Sequence, residues 1–422
     1  MTAAQRELDV VLYGATGFVG KLTAEYLAKA GGTARIGLAG RSTERLLKVR
    51  ESLGEAARGW PLIAADAASP SSLNDMAAKA HVVVTTVGPY TKYGLPLVAA
   101  CAAAGTDYAD LTGETMFIRE SIDTYHEQAV DTGARIVHAC GFDSIPSDLT
   151  VYALYRKAVE DGTGEHREEL GETTFVLRGF SGGFSGGTVA SGVELFQTAS
   201  TDPDVRRLLG DPYSLSTDRG AESDLGAQPD LPWRRGGTIA PELAGLWTAG
   251  FLMAPSNTRI VRRSNALQDW AYGRRLRYSE AMSLGSSIAA PVTSAGLTGA
   301  LHATFGLGSR FFRVLPRRLV ERVLPKPGTG PSEKARERGY YKAETYTTTT
   351  SGARYVATIA QRGDPGYKAT SVLLGESGLA LALDRDKLSD LRGVLTPAAA
   401  MGDALLARFP KCGVSLHTAR LT

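Results

Sequence analysis

Gly14-Ala15-Thr16-Gly17-Phe18-Val19-Gly20 decides the fold. It follows the apolar run Val10-Val11-Leu12-Tyr13 and leads into Lys21-Leu22-Thr23-Ala24-Glu25-Tyr26-Leu27-Ala28, whose apolar residues recur at helical spacing. The order is strand, glycine turn, helix. Glycines let the backbone turn sharply and approach a pyrophosphate, whose charge then meets N–H groups and the positive end of the helix dipole. At the first strand-to-helix junction of an α/β pattern, Gly14, Thr16, Gly17, Phe18, Val19 and Gly20 are read as dinucleotide-binding. A turn that binds nothing is the plain alternative.

A chain of 422 residues exceeds one ordinary core and predicts two domains, or one domain with a large insertion. Lys and Arg number 47 against 44 Asp and Glu, so charge gives no reason to expect a nucleic-acid partner. Cys101, Cys140 and Cys412 lie far apart without a CxxC pair, which argues against a disulfide framework and against a structural metal site. Met1-Thr2-Ala3-Ala4-Gln5-Arg6-Glu7 lacks the architecture of a secretion signal, so the expected location is cytoplasmic.

Between residues 9 and 140, β-branched runs alternate with helical ones, the signature of a parallel sheet with crossover helices. Strands are predicted at Asp9–Tyr13, Arg35–Ala39, Pro61–Ala65, His81–Val87, Asp107–Asp110 and Arg135–Ala139. The predicted fold is α/β: an amino-terminal doubly wound (Rossmann) sheet over 1–160 and a second α+β domain with an antiparallel sheet over 161–390. Residues 391–422 form a further carboxy-terminal segment.

The second strand ends in Ala39-Gly40-Arg41-Ser42, where an NAD enzyme would carry an acidic residue for the ribose 2′-hydroxyl. No acidic residue occurs between Glu25 and Glu44. Arg41 with Ser42 suits a 2′-phosphate, since a guanidinium makes paired, charge-assisted bonds to it. NADP(H) is therefore the expected cofactor. Asp66, after the third strand, is placed near the adenine or caps a helix. The loop Thr85-Thr86-Val87-Gly88-Pro89-Tyr90-Thr91-Lys92-Tyr93-Gly94 lies at a strand's carboxyl end, so Val87, Gly88 and Pro89 should line the cofactor. Tyr90 and Tyr93 are the nearby hydroxyls that could donate a proton, or pack.

Cys101-Ala102-Ala103-Ala104-Gly105-Thr106-Asp107-Tyr108-Ala109-Asp110-Leu111-Thr112-Gly113-Glu114 and Cys140-Gly141-Phe142-Asp143-Ser144-Ile145-Pro146-Ser147-Asp148 resemble the saccharopine dehydrogenase-like oxidoreductases. With GATGFVG and the run from Gly393 to Gly402, the chain is similar along most of its length to the mycobacterial trans-acting enoyl reductases. That resemblance implies a partner polyketide synthase or its acyl carrier domain, a long-chain acyl or polyketide thioester as substrate, a place in the making of phthiocerol-type and phenolic glycolipid waxes, and a return of residues 391–422 to the first domain. Asp110 and Glu114 hold the next helix or contact ribose. Asp143 and Ser144, in a turn at a strand end, are candidates to face the substrate.

From about Gly162 the pattern changes. Phe175–Arg178 reads as a strand before the glycine-rich Gly179–Thr188, and 201–245 as an irregular excursion. Met282 to Ser309 contains no Asp, Glu, Lys or Arg, yet its Gly, Ser and Thr content predicts a buried or interfacial helical hairpin rather than a membrane span. Arg310 to Arg338 holds nine basic residues against three acidic ones, interleaved with Phe, Leu and Val. Across 282–338 this suits contact with an anionic surface of the plasma membrane, an acidic carrier, or packing on the domain. Tyr340–Thr350 and Ala353–Arg362 read as paired strands, and Tyr367–Leu383 and Pro397–Phe409 as buried helices.

The function expected is NADPH-dependent enoyl reduction. One alternative is a saccharopine-type dehydrogenase of amino-acid conjugates, whose carboxylates Arg259, Arg262 and Arg263 would clamp. Another is a non-catalytic NADP-binding lipid-surface protein.

Overall fold

The computed structural model describes residues 6–162, 168–182, 202–307 and 331–422. Strands β1 (Leu8–Tyr13), β2 (Ile36–Gly40), β3 (Leu62–Ala64), β4 (Ala80–Thr85), β5 (Asp107–Ala109) and β6 (Arg135–Val137) alternate with helices α1 (Phe18–Ala30), α2 (Thr43–Ser52), α3 (Pro70–Lys79), α4 (Leu95–Ala104) and α5 (Thr115–Thr132). The six strands predicted there are present, shifted by no more than two residues at their ends. All pair in parallel. Apolar runs such as Val10-Val11-Leu12 and Val82-Val83-Val84 are wholly buried, as strands covered on both faces must be.

Helix α6 (Ile145–Asp161) then carries the chain to β7 (Leu170–Ser181), α7 (Pro203–Gly210), β8 (Arg234–Arg235), β9 (Trp247–Gly250), α8 (Ala254–Leu267), β10 (Arg277–Ser283) and α9 (Ala290–Leu307). There follow α10 (Glu333–Arg338), β11 (Tyr340–Thr349), β12 (Arg354–Arg362), α11 (Thr370–Leu383), β13 (Gly393–Leu395), α12 (Pro397–Arg408) and β14 (Val414–Leu421). The first sheet has the order β13-β6-β5-β4-β1-β2-β3, the second β14-β12-β11-β7-β10-β9-β8. The second sheet is mixed rather than purely antiparallel, because β10 lies parallel to β7.

Several expectations change. β13 adds a seventh parallel strand beside β6, while β14 pairs with β12, so residues 391–422 divide between the two sheets. Helix α11, predicted within the second domain, packs on β1, β4 and α1. The strand predicted at 175–178 runs on to Ser181, and Gly183–Thr188 lies outside the described residues. The helical hairpin predicted within 282–309 is instead the end of β10 and one helix, because Met282 and Ser283 complete the ladder with β9. Of the basic stretch, 308–330 lies outside the described residues. Among the described residues no helix is long and apolar enough to cross a membrane.

Two glycines let α11 reach the first sheet. A Cβ on Gly378 would stand 2.5 Å from Val84 Cγ2, and one on Gly375 2.5 Å from Tyr26 Cδ1. Around that seam Tyr26 donates to Glu376, which also pairs with Arg408. Overpacking such a contact costs roughly 1–3 kcal/mol. Gly378→Val should therefore lower the unfolding free energy by that amount, measured by chemical unfolding followed by circular dichroism.

Candidate functional site

The strand order of the first sheet reverses between β1 and β4, the place where an open α/β sheet offers a crevice at its carboxyl edge. Gly14 leaves β1 with φ +87°, and a Cβ there would lie 2.7 Å from Val87 Cγ2 and 2.8 Å from Thr86 Oγ1. A Cβ on Gly20 would lie 2.1 Å from the Gly14 carbonyl oxygen. Only bare backbone fits at both places. Gly17 caps α1 without a side chain, and the first turn holds no acidic residue, so its positive end is open to an anion. Thr16, Phe18 and Val19 complete this half-buried rim. The cradle fits a dinucleotide diphosphate.

Arg41 is exposed directly after β2. Ser42 caps α2, its Oγ accepting from the Arg45 amide at 3.3 Å. Asp66 Oδ1 accepts from the Ala68 amide at 3.0 Å and so shapes the turn after β3. Burial pushes the Tyr13 hydroxyl pKa up, the Asp66 carboxylate adds to the rise, and the Arg41 guanidinium opposes it. Arg41 and Asp66 thus flank one tyrosine at the crevice edge.

Val87, Gly88 and Pro89 form the opposite wall, with a cis Gly88-Pro89 bond. Tyr90 turns away from it. Its hydroxyl donates to the Thr85 carbonyl at 3.3 Å and accepts from the Leu111 amide at 3.2 Å, while Glu114 accepts from the Tyr90 and Thr91 amides at 3.1 and 2.7 Å. Burial drives that hydroxyl's pKa well upward. Of the two readings the sequence leaves open for Tyr90, proton donor or packing, the structure shows the second: it is a buried tie between two crevice loops, as is Glu114. Tyr93 is 37% exposed.

Residues 10–137 match the saccharopine dehydrogenase NADP binding domain. The chain is 68% identical over 423 residues to a trans-acting enoyl reductase of Mycobacterium bovis and 65% identical over 422 residues to one of Mycobacterium ulcerans, each aligned over the whole of both chains. A Mycobacterium tuberculosis protein provisionally named for the same activity is 74% identical over 421 residues, again the whole of both chains. The chain belongs to the trans-acting enoyl reductases. Its amino-terminal sheet is an NADP-binding domain, and its class is that of an NADP-dependent oxidoreductase. Its fold is that of the apo saccharopine dehydrogenase (L-Glu forming) of Saccharomyces cerevisiae, with a TM-score of 0.56 at 14% identity over 98% of this chain and 99% of the other.

In this family member α8 packs against the loops that follow β5 and β6. A Cβ on Gly113, in the loop after β5, would lie 3.2 Å from Met253 Cε at the start of α8. Ser144, at the carboxyl end of β6, is fully buried and donates to Asn257 Oδ1 at 2.9 Å. Asn257 Nδ2 in turn donates to Glu280 at 3.0 Å and to Ser147 at 3.2 Å, and the Tyr278 hydroxyl donates to Glu280 at 2.7 Å. Asp143 beside it is half-buried. Sequence reading missed this network, because Asn257 and Glu280 carry no local motif.

Two other constellations are structural. His138 lies between Asp110 at 2.7 Å and Ser121 at 2.8 Å, but all three are sealed from solvent, and Asp110 also accepts from Tyr108 and the Thr112 and Ala139 amides. The arginines expected to clamp a polycarboxylate serve the protein itself. Arg259 holds Asp230 and the Leu209 carbonyl, Arg262 the Gln228 side chain and the Tyr278 carbonyl, and Arg263 the Leu215 and Val394 carbonyls.

An exposed charge-assisted bond of the kind Arg41 offers contributes about 1.5–3 kcal/mol. Arg41→Ala should weaken NADPH binding roughly ten- to a hundredfold and leave NADH binding unchanged, read by quenching of protein fluorescence. A second expectation concerns pH. Burial pushes Glu280 and Asp148 up to about 7. Between their unfolded range and that value only the unfolded chain releases the protons, so stability falls as pH rises from about 4.5 to 7. Glu280→Gln, which mimics the neutral form, should flatten that fall in denaturant melts taken across the range.

Proposed function

We propose that this chain is an NADPH-dependent enoyl reductase that acts on an α,β-unsaturated acyl thioester of polyketide type, made by a separate synthase. Kinship along the full length with proteins named trans-acting enoyl reductases carries the reading. The occupied arginines of α8 support it over a polycarboxylate substrate. When bound, NADPH supplies the hydride for the β-carbon of the substrate.

The chain's own part is to bind, orient and protonate. Gly14 to Gly20 would cradle the diphosphate, Arg41 and Ser42 would hold the 2′-phosphate, Asp66 would border the adenine, and Val87, Gly88 and Pro89 would line the nicotinamide side. Tyr93, on the helical turn that follows Pro89, offers the hydroxyl for the α-carbon proton, since those of Tyr90 and Ser144 are spent inside the protein. Asp143 lies at the same crevice and orients the thioester end. The lipid would be handed over on an acyl carrier domain, whose acidity the basic residues of 310–338 suit. Peripheral attachment to the cytoplasmic face of the plasma membrane through 282–338 is a second reading, favoured by Ile288, wholly exposed, and Val292, 76% exposed, at the start of α9.

The purified chain should consume NADPH when given a long-chain trans-2-enoyl thioester, followed by loss of NADPH absorbance, and should ignore saccharopine. Turnover of saccharopine instead, or of neither compound, would overturn the proposal. Tyr93→Phe should reduce turnover by about a hundredfold or more with NADPH binding intact, the loss expected when a general acid is removed. Tyr90→Phe should destabilise the fold by about 1–3 kcal/mol, because it orphans the Leu111 amide, and keep turnover per folded molecule.

A further inference from the structure

We propose that Arg336, carried by the second domain, is a ligand of the cofactor's diphosphate, so that one guanidinium closes the two halves of the molecule over the dinucleotide backbone. The inference rests on the NADP(H) site described above and extends it to a residue outside the nucleotide-binding domain.

Phe18 is the first residue of α1 and follows the exposed Gly17 at the uncapped helix end. Its ring does not pack into its own domain alone. Tyr367 meets it edge-on at 5.0 Å, and the Arg336 guanidinium stands over it with Cζ 5.3 Å from the ring centroid. Both partners come from the second half of the chain: Arg336 from α10, and Tyr367 from the turn Pro365–Ala369 that leads out of β12 into α11. A diphosphate seated at the first turn of α1 would therefore lie beside a guanidinium already held one ring away.

The cation is aimed rather than loose. Arg336 Nη1 donates to the Pro331 carbonyl at 2.7 Å, and its own carbonyl accepts from the Asp364 amide at 2.8 Å. A guanidinium has five N–H donors, so one backbone partner leaves most of the fork for an anion. Among the described residues no carboxylate is in ion-pair range of Arg336, whereas its neighbour Glu337 is taken by Lys368 at 3.3 Å. Asp364 is the nearby acid, fully buried, with Oδ2 lacking a hydrogen-bond partner, and its charge is felt through space only. An arginine stacked on an aromatic ring, oriented by backbone and lacking a carboxylate of its own, beside an uncapped helix start, is the arrangement that a doubly charged diphosphate completes.

The test is equilibrium binding to the full chain, read by ligand fluorescence or calorimetry and independent of turnover. Arg336→Gln should weaken NADPH, NADH and ADP-ribose alike, roughly ten- to a hundredfold, because all three carry the diphosphate. It should leave adenosine 2′-monophosphate, which has none, bound as before. Arg336→Lys should fall between Gln and wild type, keeping charge but losing the fork. Arg41→Ala gives the complementary pattern, weakening NADPH and adenosine 2′-monophosphate and sparing NADH. Arg336 is half-exposed, so thermal melts of the variants should match wild type. Unchanged NADPH binding in Arg336→Gln, or an equal loss for adenosine 2′-monophosphate, overturns the assignment while leaving the cofactor site standing. Failure of the wild-type chain to bind any dinucleotide overturns the cofactor reading itself, and this proposal with it.

Discussion

The close approach at Gly14 is the constraint on which the rest of the site depends. Strand β1 must end against the loop that leaves β4, and a Cβ at that point would collide with both Val87 and Thr86. Any side chain would push the two loops apart and widen the crevice where the sheet reverses. With glycine there, the Gly14 carbonyl accepts from Thr86 Oγ1 at 3.3 Å and from the Gly17 amide at 2.9 Å. The turn is thereby fixed before any ligand arrives, and α1 starts with its amides facing the crevice. Preorganisation of this kind spares the ordering cost that a mobile loop would add to binding.

A second constraint joins the halves. Helix α6 leaves the first sheet and is buried along most of its length against the second, with Thr150 Oγ1 2.7 Å from Thr345 Oγ1 of β11. Within it Asp148 accepts from Ser264 of α8 and from the Ala398 amide of α12, so three helices distant in sequence meet at one carboxyl group. Removing such a partner from a buried site leaves a polar group unsatisfied, which costs more than the bond itself contributes. The same logic explains the arginines of α8, whose guanidinium groups fasten the excursion between α7 and β8. Their Nε atoms, and Nη1 of Arg262, are buried without a hydrogen-bond partner, so these residues anchor the fold at some electrostatic cost and lie out of a ligand's reach.

The sequence made the first sheet legible because each strand is a continuous apolar run bounded by turn residues, and because Arg41 stands where an acidic residue would mark the other dinucleotide. The family resemblance was legible for the same reason: its motifs sit at strand ends, where loop chemistry is local. What could not be read was tertiary. Nothing in Gly88-Pro89-Tyr90 says that the tyrosine ring will fold inward onto Phe117, at 5.7 Å, and spend its hydroxyl on two backbone groups. Nothing in Gly393-Val394-Leu395 alone tells that three residues will extend a sheet whose other strands lie more than two hundred positions earlier. Asn257 and Glu280 become neighbours of Ser144 only once α8 and β10 have packed.

The chemistry of the crevice is set as much by what the second domain withholds as by what it adds. At the nicotinamide end it contributes Met253 beside Gly113 and a network whose one carboxyl group, Glu280, burial keeps largely neutral up to about pH 7. At the diphosphate end it contributes a cation, Arg336. Charge is thus offered where the cofactor is anionic and held back where the acyl group would lie. An apolar enoyl chain loses nothing by packing beside Met253, whereas a substrate with several carboxylates would have to shed its water there without a cation from the second domain to meet it. Arg259, Arg262 and Arg263 are buried inside the protein and do not supply one. The distribution of charge across the crevice therefore favours a lipid thioester over an amino-acid conjugate even though the fold is shared with an enzyme named for the latter.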